Sequence, residues 1–396
     1  VNEAYVLDYV RTARGRGSTV GGLHPLSALD LVTGLQRALV GRTGLDPRTV
    51  EDVVIGCASQ VGEQGGNLAR TAVLLAGWGD EVPGVTVNRF CASGLEAVAQ
   101  VAARVRVGEL SLAVAGGVES TSRVPMFSDR APLWTDAEVV AATGSVHMGV
   151  AADLNATIDG FSRSDLDAYA LESHHKAAAA NRAGAFSRSL IPLGGLDRDE
   201  QVRPQVSREA LSALTPAFAA VGADGQDALA LSSRAWPERI EHGHTVGTSP
   251  SVADGAALLL IGDARAARRL GITPRARIVS SSVVAHDPVT MLTAGQDAMV
   301  TAMRRAAIRP GEVDVFEFAE SFAALCLRLR RDLGAGPDRL NLCGGTLAAG
   351  HALGATGAIM VGECVENLER SSGRLGVAGV SGAGGLGAAL VVSRML

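Results

Sequence analysis

The stretch Val87-Asn88-Arg89-Phe90-Cys91-Ala92-Ser93-Gly94-Leu95-Glu96-Ala97 decides how the chain is read. An apolar run over residues 85–89 ends, and Cys91 stands immediately before an Ala- and Gly-rich helical pattern over 92–107. At a helix N-terminus the macrodipole and free backbone N–H groups stabilise a thiolate, so this spacing predicts a lowered thiol pKa and a nucleophile. The same residue equally suits an inert core position, because free Cys packs as a small hydrophobe. The local pattern leaves both open.

Outward from this stretch, residues 4–9, 52–57 and 110–115 read as strands, and 28–40 and 66–76 as helices. Such alternation predicts α/β units around a largely buried parallel sheet. From 120 to 244 the chain becomes polar and is interrupted by Pro125, Pro132, Pro192, Pro204, Pro216 and Pro237. One helix is predicted there, over 164–182, opened by a Ser164-x-x-Asp167 cap. This region reads as an insertion that carries a binding lobe. Alternation then returns, with strands at 276–284 and 313–318, helices at 294–307, 321–333 and 351–369, and a hairpin of 374–380 with 388–392. Both ends share one strand–helix order, which suggests an internal duplication.

The 396 residues exceed what a single core of about 250–300 usually holds, so more than one lobe is expected. A hydrophobic content of 47% with 48 glycines excludes a disordered chain and predicts closely packed backbones. The net charge of −5 argues against a nucleic-acid partner. Cys57, Cys91, Cys326, Cys343 and Cys364 are odd in number and form no CxxC pair, so neither a disulfide framework nor a zinc site is indicated. Free thiols without a signal pattern point to the cytoplasm. The uncharged run 375–392 contains six glycines, and reads as buried strands around a turn rather than a membrane span.

A second motif is Gly350-His351-Ala352-Leu353-Gly354-Ala355-Thr356-Gly357, preceded by Asn341-Leu342-Cys343-Gly344-Gly345. A Cys with a distant His is the raw material of an acyl-transfer site. A third, Gly376 through Gly387, lacks the Lys and the following helix of a phosphate-cradling loop, and is expected to be a hairpin pressed against an active site. His242 and His244 could suggest a metal pair; without a third ligand nearby they read as packing or hydrogen-bonding residues.

Taken together, these motifs resemble the thiolase family. Asn88–Ala97 is similar to its nucleophile motif, Gly116-Gly117-Val118-Glu119-Ser120 to its GGxES strand end, and His147-Met148-Gly149 to its HMG segment. Asp254-Gly255-Ala256-Ala257 resembles its DGAA element and residues 344–357 its GGxxxxGHxxGxxG element, all in order along nearly the whole chain. The segment 219–244 resembles the longer actinobacterial-type acetyl-CoA acyltransferases. The resemblance implies two duplicated α/β halves in a layered αβαβα arrangement with an inserted loop domain. The first half would span 1–119 and 245–270, the CoA-binding loop domain 120–244, and the second half 271–396. It further implies an acyltransferase acting on acyl-CoA, with coenzyme A as substrate and no metal or nicotinamide cofactor, assembled as a homodimer or homotetramer. Cys91 would be the nucleophile and His351 the base that takes its proton. His147, Met148, Arg203, Leu214, Phe218 and Ser249 fall where the family contacts CoA.

Three departures stand out. Ser381 occupies the position of the family's second catalytic cysteine, whose thiol exchanges a proton with the α-carbon of acetyl-CoA; a serine hydroxyl is a far weaker acid. The Asn-Glu-Ala-Phe segment reads Ala319-Glu320-Ser321-Phe322, losing the Asn that holds an enolate-stabilising water. Ala352 replaces the Pro after the His, and the CoA-side Ala-Gly-Asn-x-Ser reads Val246-Gly247-Thr248-Ser249-Pro250. The acylation pair is thus retained while the residues specific to carbon–carbon chemistry are gone. The expectation is a thiolase-like enzyme with reduced or specialised activity on 3-ketoacyl-CoA. Acyl transfer or thioester hydrolysis without cleavage, and a non-catalytic CoA-binding subunit, are the alternatives. Cys343 reads as structural rather than as a stand-in thiol.

Overall fold

The computed structural model describes residues 2–232 and 237–395. Its strands are β1 (Ala4–Arg11), β2 (Gly15–Arg16), β3 (Val53–Gly56), β4 (Gly84–Val87), β5 (Leu112–Ser120), β6 (Ala253–Gly262), β7 (Ala276–Ala285), β8 (Val315–Phe318), β9 (Leu375–Gly382) and β10 (Leu386–Arg394). Among the described residues they join in the order β4-β3-β5-β6-β1-β7-β10-β9-β8, with β2 paired to β6. The longer helices are α1 (Ala28–Thr43), α2 (Leu68–Leu75), α3 (Ser93–Arg106), α4 (Met148–Asp159), α5 (Arg163–Arg182), α6 (Ala294–Arg305), α7 (Ala323–Leu333) and α8 (Leu353–Ser371).

The sheet is two copies of one pattern meeting where β1 pairs antiparallel with β7. In the first copy β3 is parallel to β5, β5 antiparallel to β6, and β6 antiparallel to β1. In the second, β8 is parallel to β9, β9 antiparallel to β10, and β10 antiparallel to β7. The edge strand β4 even has a shadow in the parallel bridge from Phe316 to Leu340. The sheet is therefore mixed, not largely parallel as the alternation predicts. β6 is delivered by the long insertion and β10 by a tight hairpin, so neither arrives through a crossover helix, and each pairs antiparallel.

β5 and β6 are buried on both faces along their whole length, which explains their near-continuous apolar runs, whereas β7 alternates buried and partly exposed residues. Ala113 and Ala115 of β5 face the same core as Leu95 and Val98 of α3 and Ile359 of α8. Their neighbours Leu112 and Val114 face α1 and α2 on the other side. The strands of the second half likewise send Ala388 and Leu390 to the α3–α8 core. Val391 and Val377 point to a separate core shared with α4, α6 and α7. The two half-sheets thus clasp α3 and α8 between them, with helices outside each, in five layers.

The described part of the insertion between β5 and β6 packs over the second half. Its helix α5 begins at Ser162, which forms a capping box with Asp165, two residues before the start that the sequence predicts. That register puts Phe161 and Leu166 at the positions that staple a helix entry. Buried ion pairs lock the insertion down: Asp199 accepts from Arg11 and Arg14 at 2.8 Å each, and Arg14 also reaches Glu363 of α8 at 3.0 Å. Burial alone would raise the Asp199 pKa, but the two guanidiniums hold it well below the usual carboxylate range.

Packing of α3 on α8 depends on a missing side chain. A Cβ on Gly94 would stand 2.6 Å from the Gly354 carbonyl oxygen and 2.9 Å from the Ala358 nitrogen. Both are backbone atoms that cannot swing away. Gly94→Ala is therefore expected to destabilise the fold by about 1–3 kcal/mol, as overpacking does. Gly41→Ala, at an exposed position of α1 where nothing lies within 4 Å of the new carbon, should stabilise it by about 0.5–1 kcal/mol. Urea unfolding of the two variants checks the contrast.

Candidate active site

Cys91 sits in the tight turn that leads from β4 into α3. Phe90 is left-handed (φ 49°), an uncommon state for a bulky residue, and the turn around it is tied down. The Ser93 hydroxyl accepts from the Arg89 amide at 2.8 Å and donates to the Phe90 carbonyl at 2.5 Å. Asn88 accepts from the Phe90 amide and anchors to the Ala58 carbonyl. Cys91 is half-buried. Burial, and then the nearby Glu119 carboxylate, push its thiol up to about 12.

The lowered pKa that the helix start predicts is therefore not what the fold provides. The amides of Ala92 and Ser93 are consumed by the Arg89 and Phe90 carbonyls. Burial dominates at the sulfur, and an acid on β5 adds to it.

His351 occupies the corresponding place in the second half, three residues before Gly354 as Cys91 is three before Gly94. Because those two glycines mark the crossing of α3 and α8, the crossing brings both residues to one end of the helix pair. Leu353 and Cys91 line one small chamber with Ala58, Ser59, Phe90 and Ala383. The His351 Nδ1 is hydrogen-bonded to the Thr356 hydroxyl at 2.8 Å, while its buried Nε2 has no protein partner. Burial, helped by Arg14, lowers its pKa to about 4, so the imidazole is neutral at physiological pH. A neutral imidazole with one nitrogen oriented and the other free is the form that can accept a thiol proton.

Glu119 underpins this geometry. Fully buried, it accepts from the amides of Ala58 and Gly354 (both 2.9 Å) and Ser59 (3.1 Å), and from Gln64 Nε2 (2.7 Å). It thereby pins the first turn of α8, and so the His351 segment, to the first half. Burial outweighs these donors and raises its own pKa. Sequence reasoning quoted Glu119 as a motif member without a task, and missed Thr356. Thr356 lies five residues after His351, in the first turn of α8, and no local periodicity pairs it with a His that precedes the helix.

Ser381 is buried, but its hydroxyl is engaged: it donates to the Leu292 carbonyl at 2.6 Å and accepts from the Gly295 amide at 3.1 Å. Its only proton thus serves the entry of α6. Cys343 is half-buried beside Asn367 and Arg370, and burial raises its thiol to about 12.

Of the six residues with implied CoA contacts, the fold gathers His147, Met148 and Phe218. His147 caps α4, accepting from the Gly149 amide at 3.1 Å, and its ring lies 5.5 Å from Phe218. Phe218 in turn stands edge-on to Phe322 at 5.8 Å, one residue beyond Ser321. Leu214 packs beside Gly247, and the buried Ser249 hydroxyl has no partner. The Arg203 side chain is exposed on a separate turn, whose amide donates to His174. The loop 245–251 bridges the site: Ala323 donates to the Thr248 carbonyl, and His351 to that of Ser251.

Of the segment 219–244, residues 233–236 lie outside the described residues. His242 and His244 both hydrogen-bond to Asp153, at 2.8 Å each, and His242 also to Asp227. They are hydrogen-bonding residues, as the sequence reads them. Among the described residues no group of three His, Cys, Asp or Glu is arranged to hold a metal ion. Nor is any described helix long and apolar enough to cross a membrane.

Comparison with known proteins follows the same outline. Residues 4–224 match the family model for the thiolase N-terminal domain, and residues 272–394 that for the thiolase C-terminal domain. The 3-ketoacyl-CoA thiolases of Enterobacter sp. (strain 638), Salmonella typhimurium and Cronobacter sakazakii are each 36% identical over 410 residues. Those alignments cover all of this chain and all of each relative.

With the thiol pushed up to about 12, the thiolate fraction of Cys91 should rise about tenfold per pH unit through the alkaline range. Alkylation by iodoacetamide, read by intact mass against a Cys91→Ala control, is expected to accelerate from pH 7 to 10 without levelling. A plateau beginning near pH 8.5 or below would show a thiol activated in the resting protein.

Proposed function

The chain belongs to the thiolase family of acyltransferases, and from that premise we propose that it acts on 3-ketoacyl-CoA through an acyl thioester on Cys91, in the degradative direction, with carbon–carbon cleavage slowed. The observation that carries this is the neutral, oriented His351 with its free Nε2, set at the helix crossing that also holds Cys91. His351 Nε2 takes the thiol proton as the sulfur attacks the 3-keto carbon. The C2–C3 bond breaks, the shortened acyl group stays on sulfur, and the electron pair leaves as the enolate of acetyl-CoA, which must regain a proton. A CoA thiol then attacks the acyl-Cys91 and releases the shortened acyl-CoA.

Two residues bear on the middle step. The proton-exchanging cysteine of the family is Ser381 here, and its proton is given to Leu292. Ala319, buried in the α3–α8 core, offers no donor to the enolate oxygen. Loss of one such donor typically costs about 10²–10³ in turnover. The engaged Ser381 hydroxyl also favours the second reading, in which Cys91 and His351 transfer or hydrolyse an acyl group without cleaving a carbon–carbon bond.

His147, Met148, Leu214, Phe218 and Ser249 would hold the CoA arm on the inserted lobe (120–244) and its return loop, between halves at 1–119 with 245–270 and 271–396. Coenzyme A is a substrate here, with no resident cofactor. The open backbone of edge strand β4, with Leu74 and Leu75 exposed on neighbouring α2, offers a surface on which a second copy can add, giving a homodimer or a dimer of dimers.

Intact-protein mass after mixing with a panel of 3-ketoacyl-CoA esters tests the reaction, with Cys91→Ala as control. An adduct two carbons shorter than the group supplied is the expected result. A full-length adduct would install the second reading, and no adduct despite CoA binding would leave a non-catalytic subunit. Ser381→Cys combined with Ala319→Asn is expected to raise thiolysis by about 10²–10³; no gain in the pair would sink the account of the slowed step.

A further inference from the structure

His242 and His244 share one buried acid, yet the two rings are held differently. Asp153 of α4 is fully buried. Its Oδ1 accepts from the amides of Gly243 and His244, at 3.1 and 2.8 Å, and faces His244 Nδ1 at 2.8 Å. On the far side of that ring the Ala324 amide donates to Nε2 at 3.4 Å. A carboxylate on one nitrogen and a donor on the other suit a neutral imidazole with its proton on Nδ1.

His242 has an acid on each side. Its Nδ1 lies 2.8 Å from Asp153 Oδ2 and its Nε2 3.0 Å from Asp227 Oδ2. Carboxylates only accept, so both bonds exist together only when both ring nitrogens carry protons. A neutral ring must turn a lone pair toward one of them. Burial works against the charged ring, but the hydrogen bonds and charges of Asp227 and Asp153 outweigh it and raise its pKa. Among the described residues these two are the charged groups that face His242, one from α4 and one from the short helix Asp227–Leu231. His244 meets it only through Asp153. Gly222 makes room for the contact, since a Cβ there would stand 2.6 Å from His242 Nε2 and 2.5 Å from Asp227 Oδ1.

The two acids are not equal. Asp153 has no access to water, whereas the Asp227 side chain is 28% exposed. A buried acceptor is costly to leave unmade, so a single remaining ring proton belongs on Nδ1, and Asp227 can turn to solvent. Asp227 also carries a wall with it. Ala220, Val221, Asp224 and Gln226 line a cavity of about 700 Å³ together with His147. That cavity shares Phe127, Trp134, Met148 and Ala383 with the chamber at Cys91. Gln226 accepts from the His147 amide at 2.8 Å, a second tie between this wall and the start of α4.

We propose that His242 is a proton-operated clasp: doubly protonated it holds the 219–231 wall to α4, and on losing one proton to solvent it keeps Asp153 and lets Asp227 go. The wall beside the chamber is then firm in mild acid and loosened in mild base. The sign follows from linkage. A histidine whose folded pKa stands above the unfolded value of about 6.5 gives its full hold below that value, and loses it as pH rises through the folded one.

Hydrogen exchange of the full-length protein tests this, read by mass spectrometry on peptides covering 219–231 and corrected for the intrinsic pH dependence of exchange. Between pH 6 and pH 9 their protection should fall by about tenfold, while that of α8 stays level. Asp227→Asn offers Nε2 a donor, so a neutral ring can hold both partners and protection should stay high throughout. His242→Asn keeps a donor for Asp153 but does not reach Asp227, and should sit at the released level at every pH. Asp227→Ala gives the same expectation if His242→Asn fails to fold. Protection of 219–231 that ignores pH in the unaltered protein, or an equal fall in Asp227→Asn, would overturn the proposal. The readout involves no turnover, so it stands or falls apart from the reaction assigned to Cys91.

Discussion

Two helices that touch backbone to backbone set the rest of this structure. At Gly94 and Gly354 there is no side chain between α3 and α8, so the helix axes are drawn together and their N-terminal ends converge. β5 submits to the same demand: a Cβ on Gly117 would come within 2.3 Å of the Gly354 carbonyl oxygen. Interiors packed at crystal-like density transmit such constraints rather than absorb them. The half-sheets must therefore close around the pair at a fixed spacing, and that spacing sets where Cys91 and His351 stand at its end. Loop flexibility has little part in it.

Buried charge is spent on holding parts together rather than on activating the sulfur. Glu119 ties the start of α8 to the first half through backbone amides. Glu320 plays a like part in the second half, accepting from Tyr169 and Ser173 of α5, from Asn341, and from the Leu347 amide. Asp199 draws Arg11 and Arg14 onto the insertion. Each carboxylate has several donors, which is how an acid survives burial. The consequence for chemistry is that thiol and imidazole rest as neutral partners, and charge separates only as substrate reacts.

Much of this was legible in the residues. His351, set between Gly350 and Gly354, announced itself because close approach of backbone needs glycine, and Cys91 did so by standing at the start of an Ala- and Gly-rich helical pattern. Strand positions were readable from apolar runs. Strand direction was not, since a fully buried strand looks alike whichever way it runs; only the route of the connecting chain decides it. The thiol's acidity was misread for a related reason. A rule about helix ends holds for a thiol facing water, whereas Cys91 answers first to its burial and then to an acid brought from β5 by tertiary packing. Ser381 was flagged by its difference from the family, but nothing local foretold that Leu292 and Gly295 would claim its hydroxyl.

The repeated strand pattern has a consequence for ancestry. Each half supplies one of the two reacting groups from the same position, the residue three before the crossing glycine of its central helix. A single half would therefore own a nucleophile or a base, never both, and would have no enclosed chamber in which to use it. If the chain descends from one duplicated unit, that unit must have worked as a symmetric pair, with identical residues facing each other across the twofold axis. Division of labour could begin only after fusion, when the two positions were free to diverge, one to sulfur and one to imidazole.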